Sequence, residues 1–364
     1  MINKPDFEAS RKRLEAYWDR QLLDRCCMAM QLPKGDVPLV RNAETVSKTA
    51  DDDGDYRSNY MDGERMLKRS LARFENTQYF GDAFPVIFPG FGTSGHAKYF
   101  HGANYEFGRD TVWYHASIDD LAARPPVYDP ASPIYAEEQA VMRYLADEAD
   151  GRYMLSMPDN CGMIDALAGL RGNAALLTDM VDEPEAVETA LARILEGFMA
   201  SIGALFDIAA DACFGGSSQG WMYTFCSGRH LQMQVDFAAM ISPAMFRRFA
   251  VPELTAVANS LDRAIYHLDG QEQIRHLDAL LSIENISAIQ WTAVAGQPKT
   301  SQFIDVLKRI QAAGKCLILM PHADEVETLL TELSSAGLQM VVHGVRTPDE
   351  AQALLKMAEK LSHA

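Results

Sequence analysis

His267 and Asp269 stand two residues apart at the end of an apolar run, Ala264-Ile265-Tyr266, and Gly270 follows at once. Side chains alternate along a strand, so residues two apart share a face. The spacing therefore predicts an imidazole and a carboxylate presented together where a strand turns into a helix. His343, after Met340-Val341-Val342, and His322, just past Met320, close two further predicted strands. Neutral imidazole and ionised carboxylate are both good ligands for divalent metal. His267, Asp269 and His343 would supply three donors and leave a position open for water or substrate, with His322 as a spare ligand or base. The plainer alternative is that Asp269 caps the helix starting near Gln271 and His267 donates to a backbone carbonyl. Other predicted strand ends bring Asp159, Ser217 and Gln290 with Trp291 to the same level, and Trp291, Trp221 and Tyr223 are candidate walls for a small-molecule substrate.

The elements that must position these residues are clearest in the last hundred. Strands predicted at 263–268, 286–291, 316–320 and 338–342 each precede a helical pattern, such as Phe303, Val306, Leu307 and Ile310. Gly314 and Gly337 fall where helix C-caps belong, and Thr347-Pro348-Asp349-Glu350 has the form of a capping box with proline at the first helical position. Strand and helix alternating at a regular interval imply right-handed βαβ units and a parallel sheet. With four more strand candidates upstream, the pattern predicts an α/β protein, a (β/α)8 TIM barrel over residues 81–364. Its active site would then lie at the C-terminal strand ends. A doubly wound open sheet is the runner-up, but no GxGxxG follows a first strand. Residues 1–80 are expected to be a mostly helical extension packed on the barrel. Asp51-Asp52-Asp53 lacks the downstream glutamate of a calcium loop, and no Lys-Ser/Thr follows Gly90, Gly92 and Gly95, which argues against a phosphate loop.

The whole chain bounds the function further. It has 364 residues, 48% hydrophobic and 23% charged, enough for a large core. A net charge of −17 and the lack of any Lys/Arg cluster argue against nucleic-acid binding and a polybasic membrane-surface role. The six cysteines form no CxxC pair, the N-terminus lacks the pattern of a signal peptide, and the apolar run Gly197 to Phe206 closes at Asp207. That run is shorter than the ~20 residues of a membrane span, so the sequence predicts a cytoplasmic protein with reduced thiols and no membrane segment.

Four stretches together resemble the uroporphyrinogen decarboxylase superfamily, and within it the zinc-dependent corrinoid methyltransferases. They are Gly162 to Gly172 before Asp182-Glu183-Pro184-Glu185; Asp236 to Pro252 with Ile241-Ser242-Pro243; Tyr266-His267-Leu268-Asp269-Gly270; and Val342-His343-Gly344-Val345 to Glu350. The resemblance implies a (β/α)8 barrel, a divalent metal, zinc first, and methyl transfer to or from a corrinoid held by a separate carrier protein. His267 matches the family's histidine, Asp269 stands where its first metal-binding cysteine would be, and His343 falls near the later one. Replacing two thiolates by a carboxylate and an imidazole makes the site harder. The first functional expectation is a metal-dependent methyltransferase or demethylase of a small methylated compound. The alternative is a metal-free decarboxylase or lyase, with His267 or His343 as general acid and Arg171 or Arg229 holding the substrate carboxylate. A barrel that binds a ligand without turning it over is a third reading.

Overall fold

The computed structural model describes residues 1–35, 54–159, 162–293 and 296–364; the Asp51-Asp52-Asp53 loop and Cys161 lie outside the described residues. In chain order the strands are β1 (Cys27–Pro33), β2 (Thr77–Gly81), β3 (Val86–Ile87), β4 (Asn104–Phe107), β5 (Val112–His115), β6 (Met154–Leu155), β7 (Ser217–Gln219), β8 (Thr224–Cys226), β9 (His230–Met233), β10 (Arg263–Asp269), β11 (Ile286–Thr292), β12 (Cys316–Leu319) and β13 (Leu338–Val341). Seven of them form one sheet in the order β2-β1-β13-β12-β11-β10-β9. It is parallel throughout except for β2, which runs antiparallel to β1. The fold is thus α/β with a parallel sheet. The ladders run as an open array from β2 to β9, while β3 with β6 and β7 with β8 form separate two-stranded ladders.

The predicted alternation at the C-terminal end is present. Helices Leu277–Leu281, Ile304–Ala312, Val326–Glu332 and Pro348–Leu361 follow β10, β11, β12 and β13 in turn. β12 is buried on both faces, as a parallel strand covered on both sides must be. Thr347 caps its helix as its sequence signature requires, its Oγ1 accepting from Glu350 N at 3.2 Å.

Residues 1–80 do more than pack on the outside. They contain the helices Phe7–Trp18, Tyr56–Met61 and Gly63–Glu75, but also β1, which lies between β2 and β13 inside the sheet. A buried ion cluster anchors this region: Asp82 is fully buried, with Arg13 Nη1 at 2.6 Å and Arg25 Nη1 at 2.7 Å. Desolvation raises the Asp82 carboxyl, and the two guanidiniums with the Met28 N–H more than offset it, leaving its pKa below the usual range.

The apolar run near Gly197 belongs to a helix, Pro184–Asp211, long and apolar enough by length and composition to cross a bilayer. Its stripe of Val187, Leu191, Ile194, Phe198, Ile202 and Leu205 is buried in the core, while Arg193 and Glu196 pair on its exposed side at 3.1 Å. That division is the one a core helix makes. Further on, Ser242 Oγ accepts from Met245 N at 3.2 Å to start a helix that passes through a π-helical turn, Phe246–Ala250, just before Pro252. Proline has no N–H to keep the α-helical bond pattern.

Candidate metal centre and active-site cavity

Register explains why this sheet gathers a site. β10 and β11 pair with His267 opposite Gln290 and Asp269 opposite Thr292. β9 pairs with β10 with His230 opposite Arg263 and Met233 opposite Tyr266. Continued past the last pair, that register brings Gln234 level with His267 and Asp236 level with Asp269. Two polar layers result on one face of the sheet: Gln234, His267 and Gln290 below, Asp236, Asp269 and Thr292 above. The alternate residues Leu268 and Trp291 face the other way and are fully buried.

The upper layer and His267 converge. One potential ligand atom from each of Asp236, His267 and Asp269 lies within 4.8 Å of the others, and His267 Nε2 is 4.0 Å from Asp269 Oδ1. The His267 side chain is 14% exposed and that of Asp269 35%, while Asp236 is exposed, so the group is reachable from the cavity. His267 Nδ1 bonds the side-chain oxygen of Gln290, whose amide nitrogen donates to Thr292 Oγ1 at 2.7 Å. With Nδ1 carrying the proton, the lone pair of Nε2 is left toward the carboxylates, as a metal-binding histidine requires. Among the described residues the expected backbone partner for His267 is not found, and Asp269 does not cap the turn that follows it. The turn after it is entered through Gly270, at φ 82° and ψ 167°, without a side-chain cap.

Asp236 was absent from the sequence-based candidates. It opens the 3₁₀ turn Asp236–Met240, held from behind by Asp165, whose two carboxylate oxygens accept from Asp236 N at 3.0 Å and Phe237 N at 2.8 Å. Desolvation raises the Asp236 carboxyl; His267 pulls it down and the negative charge of Asp269 pushes it up. Asp165 is likewise raised, by desolvation first and then by Asp236. Glu253 behind it, buried and bonded by the N–H groups of Ile164 and Met163, is raised well above the carboxylate range by burial and by Asp165. Carboxylates this close share the cost of their charges, and a cation between them relieves it.

The trio opens on a cavity of about 550 Å³. His343, Asp159, Trp221 and Tyr223 line it, as does Asp269 with His267. His343 faces the same space from the end of β13 but is not a member of the close group of three. Six expected residues lie off its wall. Trp291 is in the core, packed on Phe303 with ring centroids 4.7 Å apart, because it is one residue out of phase with Gln290. His322 is bridged to His343 through the backbone, but its exposed ring lies over Gly344 and is not among the lining residues. Gln290 acts behind His267 rather than on the wall, and Ser217 is spent on His230, 2.7 Å from its Nδ1. Arg171 is paired with Asp179 at 2.6 Å and Arg229 with Asp207 at 2.7 Å, both away from the cavity.

A hydrogen-bonded ladder links the wall to the trio. Trp221 Nε1 donates to Gln232 Oε1 at 2.8 Å, Gln232 Nε2 to Gln234 Oε1 at 2.6 Å, and Gln234 Nε2 to Asp236 Oδ2 at 3.3 Å. Trp221 also stands edge-to-face with His267, ring centroids 5.4 Å apart.

No family model and no curated protein matches this chain by sequence. Among solved structures it is similar to a methyltransferase from Methanosarcina mazei, at 13% identity and a TM-score of 0.58, over 96% of this chain and 98% of that one. A likeness at that identity is one of fold, and here it extends over nearly the whole of both chains.

Proposed function

We propose that this chain is a metal-dependent methyltransferase of uroporphyrinogen decarboxylase type acting on a small methylated compound, with Asp236, His267 and Asp269 as the metal ligands. The observation that carries the reading is the trio itself: one oriented imidazole and two carboxylates within 4.8 Å on a cavity wall, in a fold shared from end to end with a methyltransferase. Nitrogen and carboxylate donors form a hard set, suited to zinc, manganese or ferrous iron. We take the architecture to be a (β/α)8 barrel in which β3, β6 and β7 fill the gap between β1 and the ladder of β9 to β13. Hydrogen bonds beyond the main ladders support it: Ser156 N to Ile87 O at 2.8 Å, Met157 N to Ser218 O at 3.0 Å and Val342 N to Ala29 O at 2.9 Å.

A divalent cation held there supplies Lewis-acid chemistry, polarising the heteroatom that carries the methyl group or acidifying a thiol acceptor. The chain's own residues do the rest. Gln290 fixes the His267 tautomer, Asp165 and Gln234 hold Asp236 in place, and His343 faces the same space as a proton donor or acceptor. A corrinoid acceptor, if used, is proposed to arrive on a carrier protein. The decarboxylase alternative keeps its histidines but loses the two arginines expected to hold a substrate carboxylate, since Arg171 pairs with Asp179 and Arg229 with Asp207.

Zinc titration of chelator-stripped protein by calorimetry is the test. One equivalent is expected to bind, with affinity reduced at least tenfold in Asp236→Asn, His267→Ala and Asp269→Asn. Demethylation of a small donor in the presence of a thiol or cobalamin should fall in the same variants. A wild type that binds no divalent metal would overturn the reading. Zinc binding lost in His343→Ala but retained in Asp236→Asn would return the ligand set to His267, Asp269 and His343.

A further inference from the structure

The wall of the cavity has a consistent electrical character. Among the described residues it carries three carboxylates, Asp159, Asp236 and Asp269, and no lysine or arginine. Its neutral polar groups also point one way. The donors of Trp221, Gln232 and Gln234 are directed at one another and end on Asp236, while Tyr223 Oη donates to Gln31 Oε1 at 2.6 Å. A substrate carboxylate or phosphate would meet like charge, and the N–H donors of Trp221, Gln232 and Gln234 are engaged in that ladder rather than turned toward it. The largest apolar side chains of the wall are aromatic or thioether, Phe88, Trp221, Tyr223, Met30 and Met320, beside smaller alanine and valine side chains. Ring faces attract cations, and rings with acidic neighbours are the usual recognition surface for a quaternary ammonium group. Occupation of the trio by a divalent metal would offset two of the three negative charges and leave the wall negative.

We propose that the substrate of this cavity is a small methylated onium ion, a quaternary ammonium or tertiary sulfonium compound, selected by the carboxylates and aromatic rings of the wall. The proposal rests on the methyltransferase reading for its reaction, but the charge preference it predicts is a property of the wall. Transfer from such a donor to a thiolate breaks one carbon–nitrogen or carbon–sulfur bond. The electron pair of that bond stays on the leaving heteroatom, which departs uncharged. The thiolate lone pair forms the new bond to the methyl group, so neither a proton nor an external electron is needed. A sulfonium donor leaves a neutral thioether that the charge attraction no longer holds, whereas a quaternary ammonium donor leaves a tertiary amine that departs uncharged and then takes up a proton from water at neutral pH.

Choline and 3,3-dimethylbutan-1-ol have nearly the same shape and differ in charge, and 3,3-dimethylbutanoate adds an anion of similar size. Binding of all three to the full chain, with and without zinc, is to be measured by calorimetry or ligand-observed NMR. Choline is expected to bind at least tenfold more tightly than the alcohol, and the carboxylate more weakly than both. Asp159→Asn should narrow the choline-to-alcohol ratio at least threefold with the zinc stoichiometry unchanged. Equal binding of choline and the alcohol, or tighter binding of the carboxylate, overturns the proposal whatever the variant does. A cation preference without methyl loss to a thiol or cobalamin acceptor would keep the ligand class and overturn the methyltransferase reading. Demethylation of a neutral ether without a cation preference would do the reverse.

Discussion

Gln290 decides which nitrogen of His267 faces the cavity. It has no exposed surface, and its amide is held between the imidazole and Thr292 Oγ1. Removing such a partner from a ligand histidine commonly weakens metal binding ten- to a hundredfold. Gln290→Ala is therefore expected to lower zinc affinity in that range while the far-ultraviolet circular dichroism stays unchanged, and calorimetry with spectroscopy checks both. His267 and Asp269 were legible as a pair because the strand that carries them is apolar and their spacing fits its period. Asp236 was not read from sequence, although a signal existed. In His230-Leu231-Gln232-Met233-Gln234-Val235-Asp236 polar and apolar residues alternate without a break, the mark of a strand with one polar face. Its level beside Asp269 follows only from the pairing register, which a single strand does not contain. Trp291 shows the converse: it ends a predicted strand as expected, but the same alternation turns it into the core.

The elements that hold the site differ in how much of themselves they write into sequence. β10 and β11 are seven residues each, rich in Ile, Ala and aromatics, and bounded by turns; their position could be read directly. β3 and β6 are two residues each and owe their conformation to each other. β1 was hidden for another reason: Cys-Met-Ala-Met-Gln-Leu-Pro contains no β-branched residue, and its strand state comes from pairing on both sides, with β2 and β13. The turn from β10 into its following helix depends on one glycine. Gly270, at φ 82° and ψ 167°, occupies a region essentially closed to residues with a Cβ. Gly270→Ala is expected to cost about 1–3 kcal/mol, measured by urea unfolding. It should also weaken zinc binding, because the strain falls next to Asp269.

For the molecule as a whole, acid sensitivity has an identifiable source in His230. This residue is fully buried, with Ser217 Oγ 2.7 Å from Nδ1 and Thr224 Oγ1 2.9 Å from Nε2, and burial lowers its pKa from 6.5 to about 3. The folded chain keeps the ring neutral where the unfolded chain protonates it. Its contribution is therefore fully present above pH 6.5 and is lost as the pH falls from 6.5 toward 3. Between pH 7 and pH 5 the loss is about 2 kcal/mol. His230→Asn should flatten that part of the profile, and urea midpoints at the two pH values measure it. The long-range pairing of β1 has a different consequence, in the order of events during synthesis. Tyr17 Oη donates to Leu317 O across 300 residues of chain, Cys26 N to Ser362 Oγ across 336, and β1 has β13 as its parallel neighbour. β1 thus leaves the ribosome long before its partner β13, with one edge unsatisfied until that strand emerges. A nascent chain of this protein needs shelter for β1 until β13 has emerged.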